Sequence, residues 1–560
     1  MDRVPLPPTR SGHAAFLRLL AAQGVTHLFG NPGTTELAIM EAMSKQSEVA
    51  YVLGLQEGVV VAMADGYARA SGRLAAANVH VAPGLGNAMG ALYNAKFYGS
   101  PVLLTAGQQE QGHGLTEPML YAPLVPIAQP VVKWAVDVNR VQDLPRIVHR
   151  AAKVALTPPT GPVFISLPGD ILDAEAPLDF GAPTRVEGAV RPADAVVERL
   201  AARLLAARNP VLIAAHELSS RDALGEAVEL AELLGAGVWQ ETIPYSANFP
   251  SEHPAFLGTL TRSQVQVRAA LAPHDLVVCL GGELLRMSVH HPVDALPEGM
   301  PVVQVSERDW ELGKNHPTEI AICANVRETL RALNARLRAI LPPEQKESAA
   351  RRLAALAGDN WAAKNARARE EAMKVAGSRP IEPKYFMMQL ADVLPADAVL
   401  VEEALTSAAA LPAHLRQRDR QGYYGLASGG IGFAVAGAVG ISLALPQRPV
   451  VALIGDGSAL YNIQALWTAA HHGLPLTYVI ANNRGYRILK ERLVSFRKTD
   501  KFVGMDIREP EIDFVHLARS LGVPARRITD PQDIAPAIKA GIQSGAPNLL
   551  DVAVADGFGG

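Results

Sequence analysis

The stretch from 450 to 486, VVALIGDGSALYNIQALWTAAHHGLPLTYVIANNRGY, constrains the fold of this chain more than any other. Val450 to Ile454 is an apolar run that stops at Gly455-Asp456-Gly457-Ser458, and a second apolar run, Leu476 to Ile480, stops before Asn482-Asn483. Between them a helical segment from about Ile463 to His472 is closed off by Gly473 and Pro475. Strand, crossover helix and strand make a parallel pair, because a right-handed crossover returns the chain to the same edge of the sheet. Asp456 and Asn483 then stand at the carboxyl ends of neighbouring strands, the edge at which open α/β sheets bind ligands. A carboxylate and an amide oxygen are hard donors of the kind Mg²⁺ takes, and Mg²⁺ accompanies phosphates. The glycines admit close backbone approach, and the N–H groups opening the next helix receive a phosphate. GDG alone is a common turn and Asn-Asn ordinary loop chemistry. Two such signals on paired strand ends make a metal-diphosphate site the stronger reading.

The rest of the chain alternates in the same way. A helix from Gly12 to Gln23, capped by Ser11, leads to strand Val25–Phe29 and the turn Gly30 to Glu36. Strands Val49–Leu55, Leu74–Val79, Pro101–Ala106 and Pro162–Leu167 follow, with a helix from Gly58 to Ala70 and another opened by Gly84, Gly86 and Gly90. The alternation predicts doubly wound parallel sheets. Thr34, Glu57 and His80 fall just past strand ends, on the ligand-binding edge. At 560 residues the chain exceeds a single hydrophobic core. The boundaries read as a first domain over 1–180, a proline-bearing linker between Asp170 and Pro192, a central α/β domain over 190–342, a charged, solvated helical connector over 343–379 and a third domain over 380–560. The central domain carries strands Val211–Ala215, Leu276–Leu280 and Val302–Val305. The third opens with strand Ala398–Val401, then the acids Glu402 and Glu403, then the helix-leading Gly429-Gly430-Ile431-Gly432, and it ends in helix Phe514–Leu521 and strand Asn548–Val552. Gly84-x-Gly86 and Gly430-x-Gly432 echo one another loosely, which points to two related sheet domains flanking a different one.

Composition removes several function classes. A net charge of −3 offers no footprint for nucleic acid or an anionic membrane. No apolar run reaches transmembrane length, and the N-terminal MDRVPLPPTRSGHAAF lacks the apolar core of a leader peptide. The two cysteines, Cys279 and Cys323, sit in apolar strand-like contexts and read as core thiols of a protein in a reducing cytoplasm. The candidate residues each have an ordinary alternative. Glu57 could simply complement a helix dipole; His80 could be a satisfied structural histidine rather than an acid/base group; His113, in QQEQGHGLTEP, could be surface.

The motifs taken together resemble the thiamine diphosphate (ThDP)-dependent decarboxylase/carboligase family, and within it the benzoylformate decarboxylase branch. GNPGTTEL, LQEGVVVAMADGYARASG, NVHVAPGLGNAMGALYNA, TAGQQ, VKW, ASGGIGFA and GDGSALYNIQALWTAA all look like that branch, in order, as does the 27-residue step from Asp456 to Asn483. They cover the first and third domains well and the central one poorly. The resemblance implies that Asp456, Asn483 and the Gly485 carbonyl hold Mg²⁺ on the ThDP diphosphate, and that Glu57 hydrogen-bonds the aminopyrimidine and activates the cofactor. It also implies that His80 relays protons, that Ile431 lies under the bent cofactor, and that Thr406, Ser407, Gly429, Gly457, Ser458 and Tyr461 complete the cofactor-binding set. A homodimer or homotetramer with the site between first and third domains of two subunits is implied too.

The sequence departs from the branch at several positions. Thr34 stands where a serine binds the substrate carboxylate. The central-domain Arg-x-His segment reads Leu285-Arg286-Met287-Ser288-Val289-His290-His291, which aligns Ser288 with the second catalytic histidine and leaves His290 or His291 as substitutes. Ile488 and Arg492 replace small and aromatic pocket residues; Arg492 could pair a carboxylate or phosphate, or be a solvated helix position. The expected activity is ThDP- and Mg²⁺-dependent, non-oxidative decarboxylation of a small-molecule 2-oxo acid to an aldehyde, a benzoylformate-like aromatic acid favoured, with carboligation as a side reaction. The alternatives are an acetolactate-synthase-like carboligase, a dinucleotide-binding oxidoreductase lacking a true G-x-G-x-x-G, and a ThDP-binding protein without turnover.

Overall fold

The structure, a computed structural model, describes residues 9–558. The first eight residues, which belong to the leader-peptide reading, lie outside the described residues. The chain divides into two compact units. One comprises the residues up to Val186 with Leu426–Arg527 and Ala540–Val552; the other comprises Glu187–Gly425, Ile528–Lys539 and the segment from Ala553 onward.

Three six-stranded parallel sheets carry the architecture. The first runs, edge to edge, Ala50–Leu53, His27–Gly30, Ala75–Val79, Val102–Gln108, Val163–Pro168, Ala135–Asp137. Counted within the sheet, that order is 2-1-3-4-6-5. The third sheet repeats it with Tyr423–Gly425, Val399–Glu403, Val450–Gly455, Leu476–Asn482, Asn548–Ala553 and Ala525–Ile528. The central sheet differs: Phe256–Thr259, Gly237–Gln240, Pro210–Ala214, Leu276–Leu280, Val302–Ser306, Ile320–Cys323 run 3-2-1-4-5-6. The faint glycine echo in the sequence thus has a topological counterpart. The inner strands of the three sheets are buried along almost their whole length, as parallel strands covered on both faces must be.

Several expectations need correction. The stretch after Asp170 is not only linker. Gly169–Asp173 is a short helix, and Glu175–Pro177 pairs antiparallel with Thr9–Ser11, an edge position that tolerates proline. Glu402 and Glu403 lie inside strand Val399–Glu403 rather than beyond it. The charged segment over 343–379 forms helices Pro343–Ala355 and Trp361–Met373, and it is anchored rather than simply solvated: Trp361 belongs to the central core and its indole N–H donates to the Pro412 carbonyl at 2.8 Å. Cys323, read as a core thiol, is exposed, because its edge strand alternates buried and exposed positions; Cys279 is buried, and both are free thiols. Gly237–Gln240 and Phe256–Thr259 are short, glycine-bearing strands that end on a polar residue, and Ile320–Cys323 is a four-residue apolar strand too short to stand out as a run. Among the described residues no helix is long and apolar enough to cross a membrane.

Helix Glu57–Ser71 and helix Phe433–Ala444 cross inside the first unit, and both are buried almost all round. Their contact is main chain on main chain. A Cβ on Gly66 would lie 2.1 Å from the Gly437 carbonyl oxygen, and one on Gly440 would lie 1.9 Å from that of Met63. Only glycine permits that approach.

Candidate functional site

Strand Val450–Gly455 pairs in parallel with Leu476–Asn482, with Gly455 opposite Ala481. Asp456 and Asn483 therefore leave neighbouring strands at one end, as the sequence predicted. Both are buried, at 4% and 6% exposure. The Gly485 N–H donates to Asp456 Oδ2 at 3.0 Å and lies 3.1 Å from Asn483 Oδ1, so one amide ties the two candidate ligands together. The chain turns here through Arg484 at φ +59°. Behind it, Asn482 donates to Asp551 Oδ1 at 2.9 Å. Gly485 bridges to Asp506, and a Cβ on it would meet the Met505 carbonyl at 2.6 Å. Burial pushes the Asp456 carboxyl up to about 6, and the groups that oppose the shift are all backbone N–H donors. A desolvated carboxylate opposed only by amide dipoles, beside an amide oxygen, is a donor set that fits a small divalent cation.

A second cluster forms entirely within the first sheet's strand ends. The 3₁₀ turn Thr34–Glu36 follows strand His27–Gly30, and His80 caps the helix Val81–Tyr98 that follows strand Ala75–Val79. These two strands flank the point where the strand order reverses, where doubly wound sheets open a crevice. His80 Nδ1 lies 2.8 Å from Glu36 Oε2 and 3.2 Å from Thr35 Oγ1. Glu36 is fully buried and also accepts from the Gly33 and Gly107 N–H groups, each at 2.9 Å, and from the Thr35 hydroxyl at 2.8 Å. With Glu36 as a carboxylate, Nδ1 carries the imidazole proton and Nε2 is left to exchange one. Gly33 packs against the ring: a Cβ there would lie 2.1 Å from Nδ1. Sequence reasoning passed over Glu36, two of whose partners, His80 and Gly107, lie far along the chain. Thr34, one residue from this network, is exposed.

Glu57 opens helix Glu57–Ser71, whose N-cap Gln56 accepts from the Val59 N–H at 3.1 Å. It is half-buried, accepts from Asn87 Nδ2 at 3.0 Å and lies against Gly84. Gly429 and Gly432 have φ of +85° and +114°, so the loop that presents the half-buried Ile431 needs its glycines. Gly457 is covered by the Tyr486 ring, Ser458 is buried and Tyr461 is 55% exposed. Ile488 and Arg492 lie on helix Arg487–Arg497, where Arg492 reaches over the Phe496 ring at 6.0 Å. His113 is exposed in a turn with Thr116. The remaining candidates belong to the second unit. There Thr406 and Ser407 follow strand Val399–Glu403, and Ser288, His290 and His291 are exposed, with His291 Nδ1 accepting from the Val293 N–H at 3.0 Å.

Three doubly wound sheets, the first and third with one strand order, and a buried acid paired with asparagine at a strand-end turn define the architecture of the thiamine pyrophosphate enzymes. The chain matches their N-terminal TPP binding domain over residues 10–119, their central domain over 197–333 and their C-terminal TPP binding domain over 406–552. It is 35% identical to benzoylformate decarboxylase of Pseudomonas aeruginosa, across 96% of this chain and 98% of that one. It is 29% identical to a putative acetolactate synthase large subunit of Mycobacterium tuberculosis, across 97% and 99%. Its fold superposes on a ThDP-dependent 4-hydroxybenzoylformate decarboxylase of Rhodococcus jostii with a TM-score of 0.86, at 32% identity and 98% and 100% coverage. It also superposes on benzoylformate decarboxylase from Polynucleobacter necessarius with a TM-score of 0.87, at 27% identity and 98% and 99% coverage. The chain belongs to the ThDP-dependent decarboxylase/carboligase family, and its cofactor is thiamine diphosphate.

Proposed function

We propose that this enzyme decarboxylates a 2-oxo acid without oxidation, an aromatic acid of the benzoylformate type favoured, and releases the aldehyde. The observation that carries the reading is the buried Asp456 carboxylate tied through one N–H to Asn483, in a chain similar along its whole length to benzoylformate decarboxylases. Asp456, Asn483 and the Gly485 carbonyl would hold Mg²⁺, with Gly457 and Ser458 toward the diphosphate and Thr406, Ser407, Gly429, Ile431 and Tyr461 completing the cofactor's surroundings. When bound, thiamine diphosphate supplies a nucleophilic carbon and a sink for the electron pair left as CO₂ departs. Glu57 would hold the proton on the aminopyrimidine side. His80, its Nδ1 fixed by Glu36, would exchange a proton at Nε2 with the reacting oxygen or carbon. The Thr34 hydroxyl would meet the substrate carboxylate, and His290, or His291 or Ser288 in its place, would supply the second polar group from the central domain.

An acetolactate-synthase-like carboligation is the second reading, supported by the Mycobacterium tuberculosis relative and by maize and rice acetolactate synthases at 27% identity. A panel of aromatic, aliphatic and phosphonate 2-oxo acids, assayed for CO₂ and for product with ThDP and Mg²⁺, separates the two. Benzaldehyde from benzoylformate supports the first; acetolactate from pyruvate, with aromatic acids inert, would replace it.

The enzyme is read as a homodimer or homotetramer with the site between subunits. Large apolar side chains next to the candidate segments support this: Leu37 beside Glu36, Leu55 before Glu57, and Leu115 and Met119, which are 94% and 84% exposed. Light scattering of the holoenzyme returning a monomer mass would sink it. The domain boundaries stay as read from the sequence, and free thiols fit a cytoplasmic setting; fractionation with a periplasmic or secreted pool would contradict the latter.

A further inference from the structure

Helix Glu57–Ser71 carries a second acid, Asp65, two turns beyond Glu57, or roughly 12 Å along the axis. Asp65 and Arg69 form an ion pair whose side chains are both wholly buried, with Arg69 Nε donating at 2.8 Å and a second guanidinium nitrogen at 2.6 Å. The Arg69 guanidinium lies over the rings of Tyr98, at 4.2 Å, and Phe433, at 4.0 Å. The Ser100 hydroxyl donates to Asp65 as well, and so does Asn94 Nδ2, at 3.0 Å. That last bond decides which way the Asn94 amide points. With its NH₂ spent on Asp65, its carbonyl oxygen is turned the other way, and there it accepts from the backbone N–H of Ser428 at 3.1 Å. Ser428 Oγ in turn accepts from the Gly430 N–H at 3.1 Å. The far end of the same loop is held too, because Asn462 Nδ2 donates to the Gly432 carbonyl at 2.7 Å.

We propose that Asn94, oriented by the Asp65–Arg69 pair, is a positioning residue that sets the loop Ser428–Gly432, and so Ile431, in its cofactor-receiving form. The inference rests on the ThDP reading of that loop. Two of its glycines, Gly429 and Gly432, lie at positive φ, a conformation that leaves the loop little intrinsic preference of its own. Two asparagine bonds brace it, one at each end. A buried ion pair contributes little net stability over apolar packing, and its best-attested use is to specify one arrangement. Here that arrangement is the direction of an amide.

The test compares Asn94→Ala with Thr468→Val. Thr468 Oγ1 donates to the Leu53 carbonyl at 2.8 Å, a hydrogen bond of similar kind in the same unit that does not touch the loop. Both variants should lose thermal stability, Asn94→Ala the more because it also takes a donor from the buried Asp65, so the comparison is read in where exchange changes rather than in melting temperature. Hydrogen exchange followed by mass spectrometry in the apoprotein should accelerate at least tenfold in peptides spanning 426–433 for Asn94→Ala only, and the ThDP dissociation constant, read by fluorescence quenching, should rise by about the same factor. Unchanged exchange at 426–433 in Asn94→Ala would overturn the proposal, and so would equal effects of Thr468→Val. Faster exchange with an unaltered ThDP constant would overturn the role toward the cofactor. A wild-type protein that fails to bind ThDP would instead remove the functional reading on which the inference stands.

Discussion

At the scale of single residues, the pair Glu36–His80 is the feature the sequence concealed. Glu36 sits in NPGTTE, three residues past a glycine, and reads there as an ordinary acid in a turn. Its significance comes from His80 and Gly107, which are 44 and 71 positions away and meet it only when three strands align. Glu57 and His80 stood out as candidates because each closes an apolar run, a local pattern. Glu36→Gln keeps the shape but places an NH₂ group where donors already converge, and removes the charge that fixes the imidazole proton on Nδ1. The expected outcome is a fall in kcat of about one to two orders of magnitude, with the ThDP dissociation constant unchanged. Equal loss of cofactor binding would mean that Glu36 is structural support only. Glu57→Gln makes the informative contrast: the variant should also bind ThDP yet lose turnover more completely, since no other side chain stands in its position.

Among the elements, the parallel pair Val450–Gly455 and Leu476–Asn482 was the most readable, because periodicity, punctuation and polar stops all agreed. Boundaries still shifted by one or two residues, and Glu402 and Glu403 were drawn into their strand. The central sheet was least legible. Its edge strands, Phe256–Thr259 and Ile320–Cys323, are four residues each, and what makes them strands is pairing with neighbours, a contribution no local window contains. The same holds for the crossing of helices Glu57–Ser71 and Phe433–Ala444. The glycines at 66 and 440 look like weak points in two helical patterns, and only the crossing explains them. Gly440→Val should therefore be severe, because the added carbons must displace the Met63 carbonyl rather than a movable side chain. A loss of about 1–3 kcal/mol or more is expected from overpacking, read as a drop in apparent melting temperature. A melting temperature equal to wild type would mean that the two helices do not approach as described.

At the scale of the whole molecule, the first and third sheets share an order and the candidate catalytic groups gather on them, while the central domain has buried charge of its own. Glu217, completely buried, accepts from the Ser306 hydroxyl at 2.7 Å and from the Glu307 N–H, and burial first, then the nearby Glu307 carboxylate, push it up to about 7. Between the usual carboxyl range and that value the native state holds a proton that the unfolded chain has released. Stability therefore falls as pH rises through this window and levels off above it. Glu217→Gln, which keeps an acceptor for both donors, should match wild type in melting temperature near pH 5 and exceed it near pH 8. A variant less stable at pH 8 would show that the ionised carboxylate is favoured in place. No sequence pattern announces this group; Glu217 follows Ala215-His216 like many helix-opening acids, and only the enclosing strand ends desolvate it. The unsettled central-domain histidine has the opposite difficulty, since Ser288, His290 and His291 are all exposed and local pattern gives no ranking among them.

The glycine crossing also bears on how such a chain can change over generations. An interface built from side chains absorbs drift, because one neighbour grows as another shrinks. A joint of carbonyl against α-carbon has no such currency, and each step away from glycine is uphill before any partner can answer it. Drift must run around Gly66 and Gly440, leaving candidate specificity positions such as Thr34, Ile488 and Arg492 free to wander while the frame that aligns the Glu57 helix stays put.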